Sequence, residues 1–254
     1  MSRVREYAPA ALVLVAGVLA WEAVVYLFAI QFYLLPAPHV IVQSLRETYP
    51  LLVEAGVYTF TEAVVGWVLG CGGGILAAMA ASRSPELARL VLPYAVASAS
   101  VPIIALAPLA IVWFGVEQGS KIAIVVLMTF FPTFVSTLRG LLSVAPQSLE
   151  LMESYAASDQ QVFWKLRLPH SLPMVFTSLR ACATLAMIGA VVSEFFGGPV
   201  KSLGVYIKST ASLFQTRQAW SAILVACALG LLFYFAVGLV ERLVMPWHFE
   251  RRER

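Results

Sequence analysis

GLLSVAPQSLELMESYAASDQQVFWKLRLPHSLP, residues 140 to 173, is a polar, amphipathic stretch set between two long apolar runs. Within it Leu149, Met152, Phe163 and Leu166 can supply an apolar face, while Glu150, Glu153, Asp159, Lys165 and Arg167 supply polar contacts. A short helix of this kind can seat in a groove on a soluble subunit. Its charge is mixed rather than basic, which counts against a helix resting on lipid headgroups.

The rest of the chain is composed for a bilayer. Hydrophobic residues make up 60% of the 254 and charged residues only 12%, and the mean hydropathy is +0.84. A water-soluble domain has too little polar surface at that composition. A spanning helix needs roughly 20 mostly apolar residues, and such runs occupy 9 to 30, 56 to 81, 90 to 114, 119 to 138, 174 to 197 and 219 to 245. Membrane strands would alternate apolar and polar residues over about ten positions. These runs are continuously apolar, so the sequence predicts an all-α membrane protein with six transmembrane helices. Arg3 and Arg5 before an apolar stretch, with Val18-Leu19-Ala20 beyond, loosely resemble a secretory signal, but the apolar run continues past Glu22 and is read as the first helix.

With the N-terminus inside, twelve basic residues fall in inner segments, among them Arg83, Arg139, Arg180, Arg251, Arg252 and Arg254. Five fall outside: Arg46, Lys121, Lys201, Lys208 and Arg217. That asymmetry predicts both termini on the cytoplasmic side. The net charge of +3 is therefore a topology signal rather than a nucleic-acid footprint. Cys71, Cys182 and Cys227 each lie inside a predicted span with no pairing or metal-ligand spacing, and are read as packing residues.

Two outer loops are longer than the rest. The first, YLLPAPHVIVQSLRETYP, spaces Val40, Ile41, Leu45 and Tyr49 as a short amphipathic helix on the membrane surface, with His39 solvated beside it. The second, from Gly197 to Trp220, carries Leu203 and Val205 among Lys, Ser and Thr and is read as a docking or gating surface. In the second span Gly66, Gly70 and Gly74 recur every four residues, a spacing that lets helix backbones approach closely in lipid. The GCGGG run there is no phosphate loop, since GxxxxGK[ST] occurs nowhere in the chain.

Glu22, Glu62 and Glu194 fall within or at the edges of spans, where an ionisable group costs at least about 2.5 kcal/mol at mid-helix. Packing and transport roles both remain open for them. Pro102, Pro108 and Pro132 interrupt or kink the third and fourth spans, and such breaks are tolerated where freed carbonyls face other helices or a cavity. Pro102, Pro108 and Trp113, with Glu194 near the outer mouth, are the candidate pathway residues; ordinary packing kinks are the alternative.

Within the opening stretch, Glu150, Ala156, Ser158, Gln161, Phe163 and Leu168-Pro169 resemble the EAA loop of ABC-importer permeases, which runs from a Glu, through a Gly six residues on, to a Leu-Pro. Leu151 and Met152 replace its two alanines and Ala156 replaces its glycine. YLLPAPHVIVQSL, VPIIALAPLAIVWFG, SKIAIVVLMTFFPTFVSTLRGL and VVSEFFGGPVKSLGVYI extend the resemblance to the nitrate, sulfonate and taurine branch, which includes permeases for vitamins and their precursors.

That resemblance implies a type I importer permease fold over residues 1–254, with a cytoplasmic coupling loop within 140–173 formed by Glu150, Glu153, Ala156, Ser158, Gln161, Phe163, Leu168 and Pro169. It implies a bacterial or archaeal inner-membrane location and a second permease copy, expected to be identical. An extracytoplasmic solute-binding protein and cytoplasmic ATPase subunits complete the expected assembly. ATP and Mg would be used by the ATPase partner alone, with no catalytic residue, metal or cofactor on this chain. ATP-driven closure of the ATPase pair would move the coupling helices and alternate access. Riboflavin ranks first among expected solutes, a thiamine-pyrimidine precursor second, a sulfonate or nitrate third. The alternatives of another class are an ion-coupled secondary transporter and an intramembrane enzyme, for which no HExxH or Ser/His arrangement is visible.

Overall fold

The computed structural model describes residues 2–246, so Arg251, Arg252 and Arg254 of the topology count lie outside the described residues. Among the described residues the chain is helical throughout, without strands. The helices are α1 (Ser2–Leu27), α2 (Pro38–Glu47), α3 (Tyr49–Ala81), α4 (Pro85–Ala97), α5 (Ala107–Phe114) and α6 (Gln118–Leu142). They continue as α7 (Pro146–Ser154), α8 (Asp159–Val162), α9 (Leu168–Glu194), α10 (Leu203–Ser212) and α11 (Thr216–Val244). Four helical segments are long and apolar enough to cross a bilayer: Tyr49–Ala81, Gln118–Leu142, Asp159–Glu194 and Thr216–Val244. Leu12–Leu27 and Ile103–Phe114 are shorter apolar helices.

The core is the packing of α3, α6 and α9, with α11 laid against α9. Gly66, Gly70 and Gly74 bring α3 onto α6 as their spacing predicts. A Cβ at Gly66 would lie 2.5 Å from Val125 Cβ, one at Gly74 would lie 2.7 Å from the Phe130 carbonyl, and one at Gly70 would collide with Thr129 Oγ1. Thr133 on α6 donates to Cys71 Sγ at 3.2 Å and lies 3.3 Å from Cys182 Sγ, so two of the cysteines are small groups where three helices meet. Cys227 is exposed.

The apolar run 90 to 114 is not one helix, a correction to the sequence reading. Ser84 caps α4, its hydroxyl accepting from Leu87 N at 3.2 Å with Pro85 in the first turn. The helix stops at Ala97, and two 3₁₀ turns, Ser98–Ser100 and Ile103–Leu106, carry the chain to α5. Pro102 sits between those turns in a non-helical conformation, where it interrupts the run. Pro108 instead occupies the first turn of α5, where a missing N–H costs nothing, so it starts a helix rather than kinking one. Pro132 does lie inside α6.

Helix α2 confirms the amphipathic segment, but it is tied down on both sides. Ile41 and Ser44 are buried, and the Ile41 carbonyl accepts from Ser221 Oγ of α11 at 3.2 Å. His39 is not merely solvated: its Nδ1 lies 2.5 Å from Glu22 Oε1, joining α2 to α1.

Candidate functional site

The stretch 140 to 173 folds as a helix, a tight turn and a second helix at one end of the bundle. Pro146 opens α7, and the chain leaves it through Ala156, whose φ of +50° is left-handed. The N–H of Ala156 donates to the Glu153 carbonyl at 2.8 Å, and that of Ala157 to Met152 at 3.0 Å. This is the position where the EAA pattern has glycine, and the backbone adopts the glycine-type conformation without it.

Two residues on, Ser158 and Gln161 form a reciprocal capping box. The Gln161 N–H donates to Ser158 Oγ at 3.4 Å, and the Ser158 N–H donates to Gln161 Oε1 at 3.0 Å. Both otherwise orphaned donors at the start of α8 are thereby satisfied. The Ser and Gln of the motif thus have a local structural reason. Downstream, Phe163–Arg167 widens into a π-turn, with Leu168 N donating to the Phe163 carbonyl five residues back. Pro169, in the first turn of α9, lacks the N–H that would close on Lys165, and the widened turn absorbs that loss. Helix therefore runs without a break from Asp159 to Glu194.

The outward face differs from the one expected. Leu149, Met152, Phe163 and Leu166 are half-buried against the rest of the chain. Within the stretch beyond α6, the exposed large apolar groups are Leu151 at 55%, Tyr155 at 76% and Trp164 at 54%. Glu150, Glu153, Asp159 and Lys165 are exposed as expected. Leu151 and Tyr155 are four residues apart and so share one side of the cassette, which periodicity alone did not single out because Leu149 and Met152 fit the same spacing.

The pathway candidates divide into two groups. Pro102, Pro108 and Trp113 are all exposed along the broken third segment. Glu194 is fully buried and lines no open surface. Its Oε1 accepts from Thr59 Oγ1 at 2.8 Å, and its Oε2 accepts from the Gly204 N–H at 2.6 Å. Thr59 Oγ1 in turn accepts from the Leu203 N–H at 3.0 Å. Side chains from α3 and α9 therefore cap the N-terminus of α10, placing a carboxyl where a helix favours negative charge. Gly204 allows the approach, since a Cβ there would lie 2.6 Å from Glu194 Cβ and would collide with the Val191 carbonyl.

Glu62, equally buried, meets no hydrogen-bond donor among the described residues and lies beside Glu194. Lys121, counted in the sequence as an outer basic residue, is fully buried in the same cluster. Its Nζ donates to the Val116 carbonyl at 2.5 Å and to Ser120 Oγ at 3.1 Å. Lys121 thus hydrogen-bonds within its own segment and meets the carboxyl pair only through space, as a nearby buried charge, a placement that a hydropathy reading cannot supply. Arg180 entered the sequence reading only as an inner basic charge; its Nη1 lies 3.1 Å from Glu241 Oε2 of α11. Its Nη2 donates to Tyr234 Oη at 2.7 Å, and the guanidinium lies 4.3 Å from that ring's centroid. Among the described residues no group of three His, Cys, Asp or Glu side chains is placed to hold a metal.

Residues 70–246 match the model of the binding-protein-dependent transport system inner membrane component family. A formylaminopyrimidine transport permease protein of Halalkalibacterium halodurans is 34% identical over 85% of this chain and 87% of its own length. A riboflavin transport system permease protein of Chloroflexus aurantiacus is 29% identical over 89% of this chain and 85% of its own. In fold, the chain is similar to a subunit of an amino acid ABC transporter, with a TM-score of 0.61 and 15% identity over 83% of this chain and 97% of that one. The MetNI methionine ABC transporter gives a TM-score of 0.57 at 19% identity, over 83% of this chain and 98% of that one. The chain belongs to the binding-protein-dependent transport system inner membrane components, the permease subunits of ABC importers.

Proposed function

We propose that residues 1–254 act as one permease domain, paired with a second identical copy, and pass a vitamin-type heterocycle inward. The observation that carries this reading is the capped helix-turn-helix at Pro146–Val162 with the π-turn that follows it, which together present Leu151, Tyr155 and Trp164 beside Glu150 and Glu153. Exposed apolar groups ringed by charge suit a groove on a soluble ATPase subunit, which would bind the ATP and Mg and perform the hydrolysis. The loop then faces the cytoplasm, as do both termini, and a solute-binding protein approaches the opposite end. Glu150, Glu153, Ala156, Ser158, Gln161, Phe163, Leu168 and Pro169 form the coupling element: some meet the partner, and Ser158, Gln161 and Pro169 shape the turn. Pro102, Pro108 and Trp113 line the outer part of the path, while Glu194 acts on it indirectly by fixing α10.

The sequence ranks riboflavin first. The relatives support placing a formylaminopyrimidine-type precursor ahead of it, by 34% identity against 29%.

Glu150→Lys, and separately deletion of Ser158 to Gln161, should abolish ATP-dependent uptake and ATPase co-purification while the chain stays inserted and folded. Wild-type uptake with normal co-purification in both variants would remove the coupling assignment. Uptake driven by an ion gradient without any ATPase would instead favour a secondary transporter.

A further inference from the structure

Helices α6 and α9 border a groove of 420 Å³ lined by Pro132, Ser136, Pro173, Met174, Thr177 and Ala181. The two prolines lie inside adjacent helices, and neither can donate to the carbonyl four residues back, at Met128 and Pro169. Thr177 donates to the Pro173 carbonyl at 2.8 Å, which leaves its hydroxyl oxygen free to accept. The Ser136 hydroxyl makes no hydrogen bond to another of the described residues.

Hydroxyls and freed carbonyls are costly against acyl chains and are tolerated beside a water-filled cavity. The exposed side of α11 is built oppositely, from Leu231, Leu232, Phe235, Leu239 and Leu243. The groove also continues a surface already described. Pro132 is one turn along α6 from Met128, which packs, like Ile103 and Leu106 of the broken third segment, against the buried cluster of Ala107, Ala110 and Ile124.

None of the lining residues is ionisable. Arg180, on α9, is engaged by Glu241 and Tyr234 of α11, and Arg139 stands in the last turn of α6 outside the lining. An anion moving along such a wall would have no cation to offset its desolvation. Resting on the permease reading above, we propose that this groove is a stretch of the solute path and passes an uncharged, hydrogen-bonding heterocycle.

The test uses Ser136→Cys and Thr177→Cys, each in a Cys227→Ser chain, because Cys71 and Cys182 are buried and Cys227 is exposed. Membrane vesicles are treated with an anionic sulfonatoethyl or a cationic trimethylammonioethyl methanethiosulfonate. Both cysteines should react with both reagents, at rates that agree within about threefold after normalisation to a free thiol, since no wall charge focuses either sign. Leu232→Cys, on the apolar side of α11, should stay unreactive. Lack of reaction at both groove positions, in variants that elute as folded protein in detergent, would overturn the path. A preference of about tenfold or more for either sign would overturn the uncharged class. Labelling needs no ATPase, so wild-type uptake with normal co-purification in Glu150→Lys and in the Ser158 to Gln161 deletion would remove the coupling assignment without altering this result.

Discussion

Ala156→Gly should tighten the turn between α7 and α8. A residue with a Cβ pays about 1–2 kcal/mol in the left-handed region that Ala156 occupies at φ +50°. Glycine removes that cost but gives the opened loop extra freedom worth about 0.4–1 kcal/mol. The balance favours the closed turn by about 0.8 kcal/mol, roughly a fourfold rise in its closing constant. The amides that report closure are those of positions 156 and 157, which donate to Glu153 at 2.8 Å and Met152 at 3.0 Å. Hydrogen exchange followed by mass spectrometry on the peptide spanning them should slow by about fourfold in Ala156→Gly. Ala156→Val, β-branched at a positive φ, should quicken it. Faster exchange in the glycine variant, or none of the opposite change in the valine variant, would refute the claim that backbone strain at this residue limits the turn.

Glu194→Gln keeps one acceptor oxygen but turns an NH₂ toward either Thr59 or the Gly204 N–H, at about 1–3 kcal/mol for the unsatisfied buried donor. Vesicle uptake should slow with solute preference unchanged; unchanged uptake would restrict Glu194 to packing, and a switched preference would make it a solute contact. Topology is checked by cysteine labelling at Glu117, Arg83 and Gln160, all exposed. The neighbouring Ser120 is buried and Ser84 caps α4, so a cysteine at either would disturb the fold or stay hidden. Position 117 should label from the outside and 83 and 160 only from the inside, and outside labelling at 160 would invert the orientation.

The spans at 56 to 81, 119 to 138, 174 to 197 and 219 to 245 were legible because continuous apolarity and helical length coincide there. The third run misled for the same reason: Ser98 to Leu106 is as apolar as a helix, and hydropathy carries no information about backbone turns. Pro102 was the local signal, and it marks the break. The turn and second helix of the 140 to 173 stretch were legible through Ser158, Gln161 and Leu168-Pro169, whose spacing is fixed by a capping box and a helix start. Which of its apolar residues face outward was not, since Leu149 and Leu151 differ only in what the bundle places beside them. The Glu62, Lys121 and Glu194 cluster joins residues 59 to 132 positions apart, so each reads singly as an isolated charge in lipid.

The unbroken helix from Asp159 to Glu194 makes the two ends of the molecule mechanically one body. Its compliant points, the π-turn at Phe163–Arg167 and Pro173, both lie near the loop, leaving a stiff arm from Pro173 to Glu194 of about 32 Å at 1.5 Å per residue. A rotation of about 10° at the proline swings the far tip by about 6 Å. Glu194 is that tip, and it grips the first turn of α10. A small angular stroke at the loop is thus geared up into a displacement about one helical turn long at the opposite end, without any chain of intervening side chains having to relay it.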